Sequence, residues 1–300
     1  MKDQAVLFPA LCGRFYALRL VRKLDHEAEL DEVYGFVEDA EQHKNTIHHL
    51  QALAMEAEVF GRNGDYSKAL EAYSDLRDKY DASTHSQQLV DFYGEDYCAQ
   101  TIGQSAAWYL ALSKRIKALE ACDYIEELLP SLARSSDVFL TLYPVLLMLK
   151  DAGQAERSLE LCRKYFVVRE EEEEKEMDFN PFEKLYKPIE ILLHLASSAA
   201  TNAATSTITD YAEWALDTAN VEFDVSFNTY TGSIARNADS IMAEICLILA
   251  SHKAAFQVKN GLLARASSLV RSSMKLTKYM ATANAQVKGF AMDPKYKNSN

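Results

Sequence analysis

Glycine and proline are scarce in this chain, with 10 and 6 among 300 residues. Both punctuate turns, so their scarcity excludes a fold of many short strands joined by tight turns. No run of 18 uncharged apolar residues occurs, so no segment is expected to span a membrane. The five cysteines, Cys12, Cys98, Cys122, Cys162 and Cys246, are odd in number and far apart, and no pair has C-x-x-C spacing. That argues against a disulfide framework or a zinc or redox site. No N-x-S/T glycosylation acceptor is present either. The expected location is therefore reducing, intracellular and cytoplasmic. The N-terminal run resembles a signal peptide only in outline, because Arg14 and Arg19 interrupt it and no small-residue cleavage site follows.

Basic residues are the minority, 32 against 44 acidic, and the formal net charge is −12. A polyanion is repelled by such a chain, so neither nucleic acid nor an anionic membrane is expected as a partner. The best local basic patch would hold Arg265, Arg271, Lys275 and Lys278, which read as a solvated helix face.

What is present is helical repetition. Residues 50–81 place Leu53, Ala57 and Phe60 on one helix face, break at Gly64-Asp65, and resume with Ala69, Leu70, Tyr73 and Leu76. Gly64 suits the left-handed backbone that ends many helices. The same spacings recur over 99–130 in Ala106, Tyr109, Ala118, Cys122, Ile125 and Pro130, offset by 49 residues. They recur again over 137–167 in Leu146, Leu149, Gly153, Ser158, Cys162 and Tyr165, offset by 40. Looser pairs are expected at 5–41, 182–220 and 237–283, with Asp25 and Asn237 as helix caps. Pro144 and Pro188 should mark where helices start or bend. Residues 168–181 read as an acidic loop, 221–236 as a hairpin or irregular loop, and 284–300 as a flexible tail. The 221–236 loop is the first place to look for a function peculiar to this protein.

The small residues Ala57 and Ala69, the aromatics Phe60, Tyr66 and Tyr73, and the Gly64 turn together resemble the tetratricopeptide pattern. That resemblance implies an all-α, right-handed superhelix of about six helix pairs within one domain, 1–283. Small residues would sit where paired helices touch and aromatics between pairs. The offsets of 49 and 40 exceed the roughly 34 of a standard repeat, so longer helices or loops are expected. Tyr93-Gly94-Glu95-Asp96, Ala107-Trp108-Tyr109 and Ala118-Leu119 are similar to a motif in the C-terminal helical arrays of large AAA- or STAND-type signalling ATPases of algae and other protists. In those arrays a glycine follows the Trp helix, whereas Ser113-Lys114-Arg115 stands here, implying a stiffer or longer turn.

No catalytic constellation accompanies the repeats. There is no phosphate loop, nucleophile elbow or dinucleotide turn. His43, His48 and His49 are spaced by five and one, which splays their rings away from a common metal. Trp108 and Trp214 read as packing residues. Some tetratricopeptide domains clamp chaperone carboxylates with Lys and Asn on their first helices, but those places hold Ala54, Glu58 and Gln104. The expectation is a non-enzymatic scaffold or sensor, without cofactor or metal, binding a protein or peptide. The alternative is the C-terminal regulatory arm of a multidomain signalling ATPase or nucleotide-cyclase protein.

Overall fold

The computed structural model of the chain describes residues 7–15, 26–167, 183–197, 205–217 and 229–271. All regular structure among these residues is helical, with no strand. The chain divides into two compact units, 1–182 and 183–300, where the repeat pattern alone suggested one domain. Each unit is described by itself.

In the first unit, α1 (7–15) and α2 (His26–Gln42) precede three hairpins of similar build. These are α3 (Thr46–Arg62) with α4 (Tyr66–Lys79), α6 (Tyr97–Ala111) with α7 (Arg115–Leu128), and α8 (Ser135–Asp151) with α9 (Ala155–Cys162). The long offsets now have a cause. A further helix, α5 (Ala82–Tyr93), stands between the first two hairpins, and a 3-10 turn, Leu129–Ser131, leads from the second to the third. Neither helix nor turn was anticipated. The α5 sequence ASTHSQQLVDFY has only Ala82, Ser86 and Leu89 buried, too short an apolar stripe to stand out.

The hairpin turns are built alike. Each spans three residues, and its middle residue is left-handed: Gly64 at φ +82°, Ser113 at +60° and Gly153 at +76°. In each, the N–H of the next residue donates five residues back: Asp65 to Phe60 O, Lys114 to Tyr109 O and Gln154 to Leu149 O. This closes the orphan carbonyls of the first helix in a Schellman motif. The α2–α3 turn repeats it, with Lys44 at φ +52° and Asn45 N–H donating to Ala40 O. The expected longer turn at Ser113 is not found, because serine adopts the conformation that glycine holds in the other two hairpins.

Helix α6 is the hub, buried from Tyr97 to Ser105 except at Gln104, and it packs on α3, α4, α7 and α8. A helix without a polar face has to be enclosed by others. Its approach to α8 is very close: a Cβ built on Gly103 would lie 2.2 Å from Thr141 O. Pro144 and Pro188 lie inside α8 and α10, so they do not mark helix starts.

The second unit comprises α10 (Glu183–Ala196), α11 (Thr205–Asp217), α12 (Thr229–Ser251) and α13 (259–271), the last entered through a 3-10 turn, Lys253–Val258. Its core repeats every three or four residues: Leu185, Ile189 and Leu192; Ile208, Ala212 and Ala215; Ile241, Ile245 and Leu249; Leu262, Ala266 and Leu269. Helix α12 begins at Thr229, so the expected 221–236 loop is corrected over 229–236, and Asn237 lies within the helix instead of capping it. Continuous i→i−4 bonding wins there over the β-branched composition that suggested a hairpin. Asp25, 168–181, 221–228 and 284–300 lie outside the described residues.

Candidate functional site

The repeat positions make up the joints of the first unit. Ala57, Ala69, Ala106, Ala118 and Ser158 are buried. Ser158 Oγ donates to Leu146 O at 2.7 Å, so the hydroxyl spans the α8–α9 contact; the buried Ala69 and Ala118 hold the corresponding places in the other hairpins. Phe60, Tyr73, Cys122 and Cys162 are buried, and Tyr66 and Tyr109 are half-buried. The Tyr73 and Tyr109 rings meet edge to face at 6.3 Å, joining the first hairpin to the second. Trp108 is buried with its indole against Gly61. Gly64, Gly153 and Pro130 are exposed at turns.

A buried polar network surrounds the start of α6, and sequence reading missed it. Asp96 caps that helix, its Oδ1 accepting from Ala99 N–H at 3.0 Å and its Oδ2 from Tyr80 OH at 2.5 Å. Asp96 N–H donates to Asp137 Oδ1 at 3.1 Å, which ties α8 to the same helix end. Tyr97 OH donates to Glu58 on α3, and Gln100 Nε2 to Glu95 at 3.1 Å. Asp96 and Asp137 are fully buried, and Asp137 Oδ2 has no hydrogen-bond partner. Burial raises the pKa of both, and of Glu95, above the ordinary carboxylate range. The available signal was the Tyr-Gly-x-Asp motif, in which Gly94 ends α5 at φ +83° and Asp96 begins α6. The carboxylates hold helix ends together; their partners are hydroxyls, amides and backbone N–H groups.

The three histidines are not brought together. His43 Nδ1 lies 2.7 Å from Asp39 O, and His49 is half-buried. His48 is buried, stacked on Phe8 at 4.3 Å, with Nδ1 2.6 Å from Tyr93 OH. Burial lowers its pKa, with Asp39 opposing. Among the described residues, no group of three or more His, Cys, Asp or Glu is placed to hold a metal ion. All five cysteines are buried thiols, and burial pushes Cys12 and Cys122 up to about 12, far from a reactive thiolate.

Two clefts open on the first unit. One, of about 360 Å³, lies between α1 and α2 with Leu7, Phe8, Leu11 and Phe36 on its walls and Arg14, Glu32 and Asp39 beside them. The other, of about 320 Å³, lies by the α2–α3 turn and is bordered by Lys44, His49 and Lys79. Neither gathers a nucleophile with a base. Among the described residues, no single helix is long and apolar enough to cross a membrane.

Fold and clefts thus define an all-α protein of packed helical hairpins. No family model matches the chain, and no curated protein or solved structure does.

Proposed function

We propose that the chain is a non-catalytic helical-repeat protein of the tetratricopeptide type, a right-handed superhelix of about six pairs that binds a protein or peptide partner. One observation carries the reading. The left-handed turns at Gly64, Ser113 and Gly153 and the buried Ala69, Ala118 and Ser158 fall in phase across three hairpins as joints, which leaves helix surfaces and clefts for recognition. The α1–α2 cleft suits an apolar side chain of a partner, with Arg14, Glu32 and Asp39 to bond the backbone around it. Buried thiols are compatible with work in the reducing cytoplasm.

Affinity capture from native lysate, repeated with Leu7→Glu and Asp39→Arg, tests it. A partner that rebinds as a purified protein and is lost in the variants supports the reading. A purified chain that retains no rebinding partner, or a partner indifferent to both variants, rejects it.

A second reading makes the chain the regulatory arm of a signalling ATPase or cyclase, and the Tyr-Gly-x-Asp joint at α5–α6 favours it. An in-frame phosphate-loop domain encoded upstream of Met1 supports this reading, and an in-frame stop codon there excludes it.

A further inference from the structure

The net charge of −12 hides a segregation along the chain. Residues 253–300 hold nine Lys and Arg against one Asp, a charge of +8, which leaves −20 on residues 1–252. The structure presents the first part of this basic segment as one helical stretch, Lys253–Arg271, set at 108° to the preceding Asp239–Ser251. It contains Lys253, Lys259, Arg265 and Arg271 and no acidic residue.

The stretch has two apolar faces. Ala255, Leu262, Ala266 and Leu269 are buried in the second unit, and Arg265 turns inward to donate to Leu216 O. Phe256, Leu263 and Val270 face out, 75%, 39% and 43% exposed. Phe256 and Lys259 are three apart, one turn of the 3-10 entry, and Lys259, Leu263 and Val270 continue at steps of four and seven along α13, so they form one line along the surface. Lys253, Lys259 and Arg271 are exposed near that line. Exposed aromatic and aliphatic side chains interleaved with cations, with no anion among them, are the composition of a helix that lies in a lipid interface.

We propose that this face rests on an anionic membrane surface, with Phe256, Leu263 and Val270 entering the headgroup boundary and Lys253, Lys259 and Arg271 against acidic headgroups. Charge complementarity decides among occupants. A second copy docked through the same face would set Lys and Arg against Lys and Arg. The 29 residues after Arg271 carry five Lys against one Asp, so they are repelled as well. A nucleic acid would satisfy the cations and leave the Leu263 and Val270 side chains without a partner. The inference departs from the whole-chain expectation against membranes because screening confines exposed charges to about 8 Å at physiological salt, so a surface meets the local patch before the chain total.

The test is flotation of the full-length protein with phosphatidylcholine vesicles, with and without phosphatidylserine, at low and high salt. A Glu-flanked amphipathic helical peptide and a single-stranded DNA oligonucleotide serve as alternative partners. Partition is expected only with phosphatidylserine and should weaken with salt. Lys259→Gln combined with Arg271→Gln should lower it roughly thirtyfold, two charges at about 1 kcal/mol each. Phe256→Gln should lower it at least roughly tenfold, and because that side chain is exposed, helicity by circular dichroism should be unchanged. Phe256→Trp should shift its emission to the blue on phosphatidylserine vesicles. No partition, equal partition onto neutral vesicles, insensitivity to these variants, or binding of the peptide or the DNA without vesicle binding would overturn the proposal.

Discussion

Asp137 accepts two hydrogen bonds through Oδ1 and none through Oδ2, inside a protein where its charged form is poorly solvated. Glu95, Asp96 and Glu58 lie around the same helix start, and Arg134 lends Asp137 a weak opposing field. Its folded pKa is raised above the ordinary 3.8, so between 3.8 and the folded value the folded protein binds a proton that the unfolded chain has released. Stability from this group is therefore present below 3.8 and lost as pH rises through the folded value. Between 3.8 and the folded value, melting temperature should fall less steeply with rising pH in Asp137→Asn than in the wild type. Identical slopes would show that the carboxyl titrates normally. His48 acts in the opposite sense: its pKa is lowered from 6.5, so its contribution is present above 6.5 and lost as pH falls through the folded value. Nothing in the sequence marked Asp137, which opens α8 as one of many carboxylates near helix starts. Its burial depends on Asp96, 41 residues away.

At the scale of elements, the hairpin turn is the recurring device. Gly64 and Gly153 meet the left-handed requirement without a Cβ, but Ser113 bears a cost of roughly 1–2 kcal/mol for an L-residue there. Ser113→Gly relieves it and loses roughly 0.5–1 kcal/mol to the greater freedom of unfolded glycine. A net gain of about 0.5–1 kcal/mol should appear as a higher denaturation midpoint with an unchanged slope. Gly103→Ala should move the same midpoint down by about 1–3 kcal/mol, because the new methyl meets the α8 backbone, which cannot rotate aside. A neutral Gly103→Ala would mean that α6 and α8 do not approach as closely as described. The turn could be read from Gly64 and Gly153; that Ser113 performs the same task could not, because its conformation is imposed by the Tyr109 carbonyl and the helices on either side.

At the scale of the molecule, the division at 182/183 makes a separable prediction. Residues 1–182 expressed alone should unfold cooperatively with high helicity by circular dichroism, since their core closes around α3, α6 and α8. A fragment that is unfolded, or that melts without a transition, would show that 183–300 is needed for its fold. The vesicle experiment belongs to this scale as well, because it turns on charge being divided between the acidic body and the basic α13 stretch.

The sequence by itself determined that this is a helical protein and where its three central hairpins lie. Local periodicity and turn chemistry are encoded among near neighbours in the chain, within each hairpin. Only the tertiary structure decided that α5 stands between the first two hairpins, that 229–236 is helical, and that Asp96 and Asp137 share one helix end. It alone decided that the Phe256–Leu263–Val270 line faces outward while Leu262, Ala266 and Leu269 face the core. Both stripes are apolar and one residue apart, so composition cannot tell them apart. Packing against α11, where Leu216 lies beside Gly261 and accepts from Arg265, chooses which is buried.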